Sequence, residues 1–190
     1  MNKVTLEIDG KSVAVDEGLT VLDAARQAGA DVPTLCYSEA LKPYGACRLC
    51  MVEVTKGTRT RLVASCCYPV EPDLKVRTST EKIEKIRKTL VELLMPLAAG
   101  GPIKALAAKY GLSKSRFKAQ ERDCVLCGLC VRYCAEIKGE NAVYFQGRGV
   151  KRKLALLPGH SLVCANCEEC WKLCPGGWIT SGSELMEDRP

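Results

Sequence analysis

Apolar and polar residues alternate along the start of the chain: Val4, Leu6 and Ile8, then Val13 and Val15, with Asp9-Gly10 between the two sets. A period of two marks half-buried strands, and Asp-Gly is a turn signal, so residues 4–15 predict a β-hairpin. The period then changes. Thr20, with Asp23 three residues on, makes an approximate capping box for a helix through Val21, Leu22, Ala24, Ala25 and Ala28. Gly29 is a natural stop for that helix, and Pro33 prevents its resumption. Met51–Thr55 and Leu62–Ala64 predict strands, and Leu74-Lys75-Val76 a closing strand. Glu81–Met95 places Ile83, Ile86, Leu90, Leu93 and Leu94 on one helical face. Pro96 ends that helix and Gly100-Gly101-Pro102 makes a break. A shorter helix then carries Ile103, Leu106, Ala107 and Tyr110 to Gly111.

Strand, turn, strand, helix is the opening of a β-grasp fold, so the expected class is α+β. Composition changes how the chain holds together. Thirteen cysteines against only two Phe and two Trp in 190 residues suggest small domains organised by cofactors, with less reliance on an aromatic core. Met1–Gly10 has no apolar signal-peptide core. The most apolar stretch, Thr89–Ala108, is interrupted by Glu92, Pro96, Gly100, Gly101 and Lys104, which excludes a membrane span. The expected setting is the reducing cytoplasm, where thiolates stay free for metal. A net charge of +6 could favour an acidic partner but does not argue for nucleic acid. From Lys82 to Arg122, ten Lys and Arg face three Asp and Glu, which reads as a solvated linker face or a docking surface.

The cysteines carry the chemistry. Cys124, Cys127, Cys130 and Cys134 read C-x2-C-x2-C-x3-C, and Cys164, Cys167, Cys170 and Cys174 repeat that spacing 40 residues later. A cubane cluster needs four thiolates from different directions, and a tight C-x2-C-x2-C loop can wrap three of its corners. This is the ligand pattern of a bacterial-type ferredoxin module with two [4Fe–4S] clusters, in which the fourth cysteine of each run ligates the other cluster. Carried over, that rule groups Cys124, Cys127, Cys130 and Cys174 on one cluster, and Cys164, Cys167, Cys170 and Cys134 on the other. Zinc is the competing reading, but paired CxxC motifs supply it with two cysteines each, whereas here each run supplies four. Upstream, Cys36, Cys47, Cys50 and Cys66 have the spacing C-x10-C-x2-C-x15-C, with a longer first loop than the plant-type motif. Four cysteines on a β-grasp scaffold suit one [2Fe–2S] cluster, with zinc again the alternative. Tyr44-Gly45-Ala46 would let backbone N–H groups approach its sulfurs.

The segments VPTLCYSEA, GACRLCMVEV and VASCCYPV resemble the N-terminal [2Fe–2S] domain of complex I 75 kDa-type subunits. That domain also occurs in diaphorase subunits of NAD-linked hydrogenases and in iron-only hydrogenases. CVLCGLCVRYCAEIKGENAVYFQGRG resembles the ferredoxin module that follows it there. The resemblance covers both ends of the chain and leaves about residues 96–120 outside it, and three domains are expected: a β-grasp [2Fe–2S] domain over 1–79, a helical linker over 80–120, and a 2[4Fe–4S] ferredoxin domain over 121–190. The family's C-x-x-P-V pattern makes Cys66 the fourth [2Fe–2S] ligand and leaves Cys67 to pack as a small apolar residue, with a ligand swap still open.

The chain departs from that family in three places. Members carry a His-ligated [4Fe–4S] site, H-x3-C-x2-C-x5-C, between the two domains, but residues 68–123 contain neither His nor Cys. His160 stands in H-x3-C-x2-C with Cys164 and Cys167, and is expected to be structural because Cys134 completes the thiolate set. Cys134 is followed by Ala135 where bacterial ferredoxins have Pro, and Gly128 of the first run is replaced by Glu168 in the second. No dinucleotide fingerprint, P-loop, or molybdenum or nickel signature is present. The resemblance therefore implies an electron-transfer subunit without a catalytic site. Its partners would be a flavin- and NADH-binding diaphorase subunit and a second redox subunit: a hydrogenase, a formate or aldehyde dehydrogenase, or a bifurcating flavoprotein. The competing reading is a free ferredoxin-like carrier, and a third, an iron–sulfur sensor, lacks a nucleic-acid-binding motif.

Overall fold

The computed structural model describes residues 2–98, 100–119, 124–160, 164, 166–177 and 179. Arg122 and Glu121 of the basic stretch, and the end of the expected third domain, lie outside them. The chain falls into two compact units, Met1–Tyr37 with Pro43–Leu90, and Ser38–Lys42 with Val91–Pro190.

The first unit is a five-stranded mixed sheet of order β2-β1-β5-β3-β4. Strands β1 (Lys3–Ile8) and β2 (Lys11–Asp16) form the expected hairpin, with Lys3 opposite Asp16 and Ile8 opposite Lys11. Asp9 and Gly10 both take positive φ, +48° and +83°, as a two-residue I′ turn requires. Strands β3 (Met51–Lys56) and β4 (Arg59–Ala64) form a second hairpin. β4 starts three residues before the apolar pattern does, because Arg59, Thr60 and Arg61 are exposed edge residues held by the backbone ladder and, at Thr60, by a hydroxyl contact with Thr55 at 2.8 Å. β5 (Lys75–Arg77) lies between the hairpins, parallel to β1 and antiparallel to β3. Leu74 lies just outside it, fully buried, and its carbonyl accepts from Glu7 N.

Helix α1 (Val21–Gln27) supplies Val21, Leu22, Ala24 and Ala25 to the core that Val4, Leu6, Ile8, Val52, Val54 and Val76 offer from the sheet. Its capping box is complete. Asp23 N donates to Thr20 Oγ1 at 3.3 Å and Thr20 N to Asp23 Oδ2 at 2.9 Å. Burial pushes the Asp23 carboxyl up, but hydrogen bonds from Thr20 and Tyr37 and the charge of Arg26 outweigh it and hold the pKa below the usual aspartate value.

Helix α2 (Glu81–Leu94) forms where the periodicity predicts it, but its buried face is rotated. Ile83, Arg87 and Val91 are buried at i, i+4, i+8, while Leu93 is 43% exposed. The helix passes from the first unit into the second at Leu90–Val91.

In the second unit, the buried Glu92 near the end of α2 receives a forked pair of hydrogen bonds from Arg116, Nε to Oε1 at 2.7 Å and an Nη to Oε2 at 2.8 Å. Two of the basic residues assigned to a solvated face, Arg87 and Arg116, therefore have structural work. Helix α3 (Gly101–Lys109) buries Ile103 and Ala107. Helix α4 (Leu129–Tyr133) continues into one wide turn, Cys134–Lys138. A hairpin of β6 (Val143–Gln146) and β7 (Lys153–Leu156) follows. Lys42 joins this unit by donating its N–H to Glu136 Oε2 at 3.0 Å and accepting from Arg132 at 2.6 Å. The core around the hairpin is small, and half of its buried residues are cysteines: Cys130, Cys134, Cys164 and Cys170, with Ala142, Val143, Leu154 and Ile179.

Candidate metal centres

In the first unit, Cys36 sits on the loop after α1. Cys47 and Cys50 lie on the loop entering β3, and Cys66 on the short turn Ser65–Cys67 that follows β4. Local geometry holds each one. Tyr37 Oη donates to Asp23 Oδ1 at 3.0 Å, so the capped end of α1 anchors the residue beside Cys36. Ser65 binds the Cys50 carbonyl twice, through N at 3.1 Å and Oγ at 2.8 Å, which joins the third and fourth cysteine loops. Arg87 reaches in from α2, its Nε donating to Leu49 O at 3.1 Å and an Nη to Met51 O at 3.0 Å, on either side of Cys50.

The four cysteines form two pairs. Cys50 and Cys66 sulfurs share a hydrogen bond at 3.4 Å, and Cys47 N donates to Cys36 Sγ at 3.3 Å. The hydrogen bond from Cys66 draws the Cys50 pKa down to about 6, against burial, while the same contact holds the proton on Cys66. Hydrogen bonding to Cys36, with burial, raises Cys47. Two close thiol pairs match the demand of two irons that each take two thiolates. Cys67 is the exception to the sequence expectation. It is exposed instead of packed, with its sulfur 3.6 Å from that of Cys66. Gly45 makes room for it, since a Cβ there would stand 2.9 Å from the Cys67 sulfur.

The second unit gathers its eight cysteines around two cavities. One is lined by Cys134, Cys164, Cys167 and Cys170. The other is lined by Cys124, Cys127, Cys130 and Cys174. Each cavity thus takes three cysteines from one run and the last cysteine of the other. Burial, together with the charge of the neighbouring cysteines, pushes the Cys170 thiol up to about 12 and raises Cys130 and Cys164 as well. Four thiolates gathered this way repel one another until cationic charge enters between them. Ala142 N donates to Cys134 Sγ at 3.2 Å, a hydrogen bond of the kind that tunes cluster sulfurs. His160 stands outside both linings, with Nδ1 3.2 Å from the Pro158 carbonyl. Among the described residues, no three of His, Cys, Asp and Glu close around one point as a single metal ion needs. Cysteines spread around a cavity suit a polynuclear group better than a zinc ion with four thiolates at about 2.3 Å.

Sequence reasoning missed several residues that support these centres. Arg87 left a signal, a cation at i+4 from Ile83 and i−4 from Val91 inside an apolar face. The Tyr133–Glu169–Lys138 set left none. Glu169 accepts from Tyr133 Oη at 2.8 Å and Lys138 Nζ at 2.6 Å, across 31 or more residues of sequence.

A β-grasp sheet carrying paired thiols, followed by a module with two four-cysteine cavities, defines an iron–sulfur protein with a 2Fe-2S domain and a 4Fe-4S dicluster domain. Family comparison agrees. Residues 1–81 match the 2Fe-2S iron-sulfur cluster binding domain, and residues 123–178 the 4Fe-4S dicluster domain. The alpha subunit of NADPH-Fe(3+) oxidoreductase from Geobacter sulfurreducens is 33% identical over 98% of this chain. The NADH-ubiquinone oxidoreductase 75 kDa subunit of Reclinomonas americana is 30% identical over 94%. The chain spans 25% of the length of the first of these relatives and 29% of the second. A solved chain of an NAD+-reducing [NiFe]-hydrogenase in the H2-reduced state superposes with a TM-score of 0.71 at 31% identity, covering 82% of this chain and 76% of that one. The chain belongs to the family of iron–sulfur subunits found in NAD(P)H-linked oxidoreductases, complex I 75 kDa-type subunits and NAD-reducing hydrogenases among them.

Proposed function

We propose that the chain is the electron-relay subunit of a multisubunit NAD(P)H-linked oxidoreductase, holding one [2Fe–2S] and two [4Fe–4S] clusters. Cys36, Cys47, Cys50 and Cys66 hold the first. Cys124, Cys127, Cys130 and Cys174 hold the second, and Cys164, Cys167, Cys170 and Cys134 the third. The observation that carries the reading is the exchange of Cys134 and Cys174 between the two cavities, the cross-ligation of two-cluster ferredoxins. Such clusters supply reversible one-electron chemistry when bound. The chain's own residues fix the thiolates, screen them from water, and aim N–H groups at sulfur, as Ala142 does at Cys134. Thiolate ligands of this kind suit a reducing compartment such as the cytoplasm. No helix of the described residues is long and apolar enough to cross a membrane.

The partners are a flavin- and NADH-binding subunit on one side and a second redox subunit on the other, of hydrogenase, formate or aldehyde dehydrogenase, or bifurcating type. Anaerobic purification from the native source tests this reading. The expected result is about ten irons per chain, together with co-eluting flavoprotein. A 20.7 kDa monomer with full iron content would instead support a free carrier, and fewer than about six irons would overturn the cluster assignment.

A further inference from the structure

Gly128 and Glu168 occupy the same place in the two cysteine runs, one residue after the second cysteine. Both adopt left-handed backbone, with φ of +76° and +51°. Glycine does so freely, whereas a residue with a Cβ meets a steric cost. Each belongs to the loop that lines its own cavity, so at equivalent positions one loop carries a glycine and the other a glutamate.

The remaining walls sharpen the contrast. The cavity of Cys124, Cys127, Cys130 and Cys174 is closed by Leu126, Phe145, Leu154 and Ile179, with no charged side chain in its lining among the described residues. Three residues that bear charge, Lys138, Glu140 and Glu168, border the other. Lys138 is engaged by Glu169, and among the described residues none pairs with the Glu168 carboxylate. Burial of the ligands does not separate the two sites, since both combine buried and half-buried cysteines. Fixed charge does.

We propose that Glu168 makes the site of Cys134, Cys164, Cys167 and Cys170 the lower-potential of the two four-cysteine centres. The inference rests on the cluster assignment above. An electron added to a group already held by four thiolates raises its negative charge, and a carboxylate on the residue next to Cys167 opposes that addition. The carboxylate is exposed, so solvent screening keeps the effect to a two- to tenfold change in the one-electron reduction constant, up to about 59 mV.

The test is an EPR-monitored redox titration of the cluster-loaded full chain. Glu168→Gln and Glu168→Gly both raise the lower of the two [4Fe–4S] steps by that factor and move the upper step less. Glu168→Asp keeps the charge and titrates close to the parent. Glu168→Gly also unfolds no more readily than the parent, because glycine suits the left-handed backbone. Unmoved steps, a downward shift, or a shift confined to the upper step would overturn the role of Glu168. A parent protein without two [4Fe–4S] steps would instead remove the cluster assignment, and the inference with it.

Discussion

Replacing Arg87 by leucine tests how the [2Fe–2S] loop is held. The guanidinium is 2% exposed and donates to the carbonyls of Leu49 and Met51, which flank Cys50. Its third contact, with Glu84 Oε1 at 3.0 Å, involves a carboxylate that is 43% exposed, and such pairs contribute at most about 1 kcal/mol. The two carbonyl bonds decide the outcome. Hydrogen bonds to a charged donor contribute about 1.5–3 kcal/mol each, and leucine leaves both acceptors without a partner. Leucine recovers part of the apolar contact, so the net loss is about 3 kcal/mol. That corresponds to roughly a hundredfold rise in the population of the opened loop. The assay is the decay of the [2Fe–2S] EPR signal in the full chain over a urea series. Arg87→Lys restores only part of the loss, because an ammonium cannot fork to two carbonyls as a guanidinium does. Lys85→Leu, at an exposed position on the same helix, stays within about 0.5 kcal/mol of the parent. If Arg87→Leu also stays within that margin, the guanidinium does not hold the loop.

Thr20→Ala removes the side-chain acceptor of the α1 capping box and costs about 1 kcal/mol in the first unit, read by urea unfolding. Asp23 has a folded pKa below its ordinary value, so its stabilisation is complete above that ordinary value, near 3.8, and is lost as pH falls through the lower folded value. Acid titration of the first unit's unfolding midpoint should show that limb, and Asp23→Asn should flatten it. Gly45→Ala meets the Cys67 sulfur at 2.9 Å and a φ of +67°, so it should cost about 1–2 kcal/mol from backbone strain alone, plus the clash. Cys67→Ala should relieve the clash but not the strain, which a double-mutant cycle in thermal melts separates. Removing iron with a chelator should abolish hydrogen-exchange protection at Ala142 and in the β6–β7 hairpin while the β1–β2 hairpin stays protected, and the reverse order would contradict the cysteine-built core.

The first unit was legible because each of its elements announces itself locally. The alternation at Val4–Ile8, the Asp9-Gly10 turn and the Thr20/Asp23 box act within a few residues, and each forms as read. What escaped depends on distant partners. β6 and β7 were not anticipated, since Val143–Gln146 and Lys153–Leu156 are four-residue strands beside strongly basic residues, and their pairing buries only Val143 and Leu154 fully. The register of the α2 face failed for a related reason. Periodicity counts apolar residues, and it cannot see that two carbonyls of the cysteine loop make a buried arginine favourable at position 87. The cysteines were the opposite case, because ligand spacing survives in sequence even where the elements carrying it are short.

The two units solve the problem of burying thiols in different ways. In the first, Cys50 and Cys66 join a core that sheet and helix already fill with Val, Leu, Ile and Ala, so the sulfurs occupy one edge of a self-sufficient structure. In the second, cysteines make up half of the buried core, and the only sheet among the described residues is a two-stranded ribbon, which is marginal in water without further packing. Gathering four thiols around each cavity raises their pKa values, as at Cys130 and Cys170, so closing the cavities on free thiolates opposes folding. Cationic iron bound there would reverse the sign of that term. Under the proposed ligation the same atoms would cross-link the runs, because Cys134 and Cys174 each line the cavity of the other run. The proposed electron transfer would favour this arrangement for a separate reason, since a site whose fold and ligands are inseparable would have little freedom to reorganise when its charge changes.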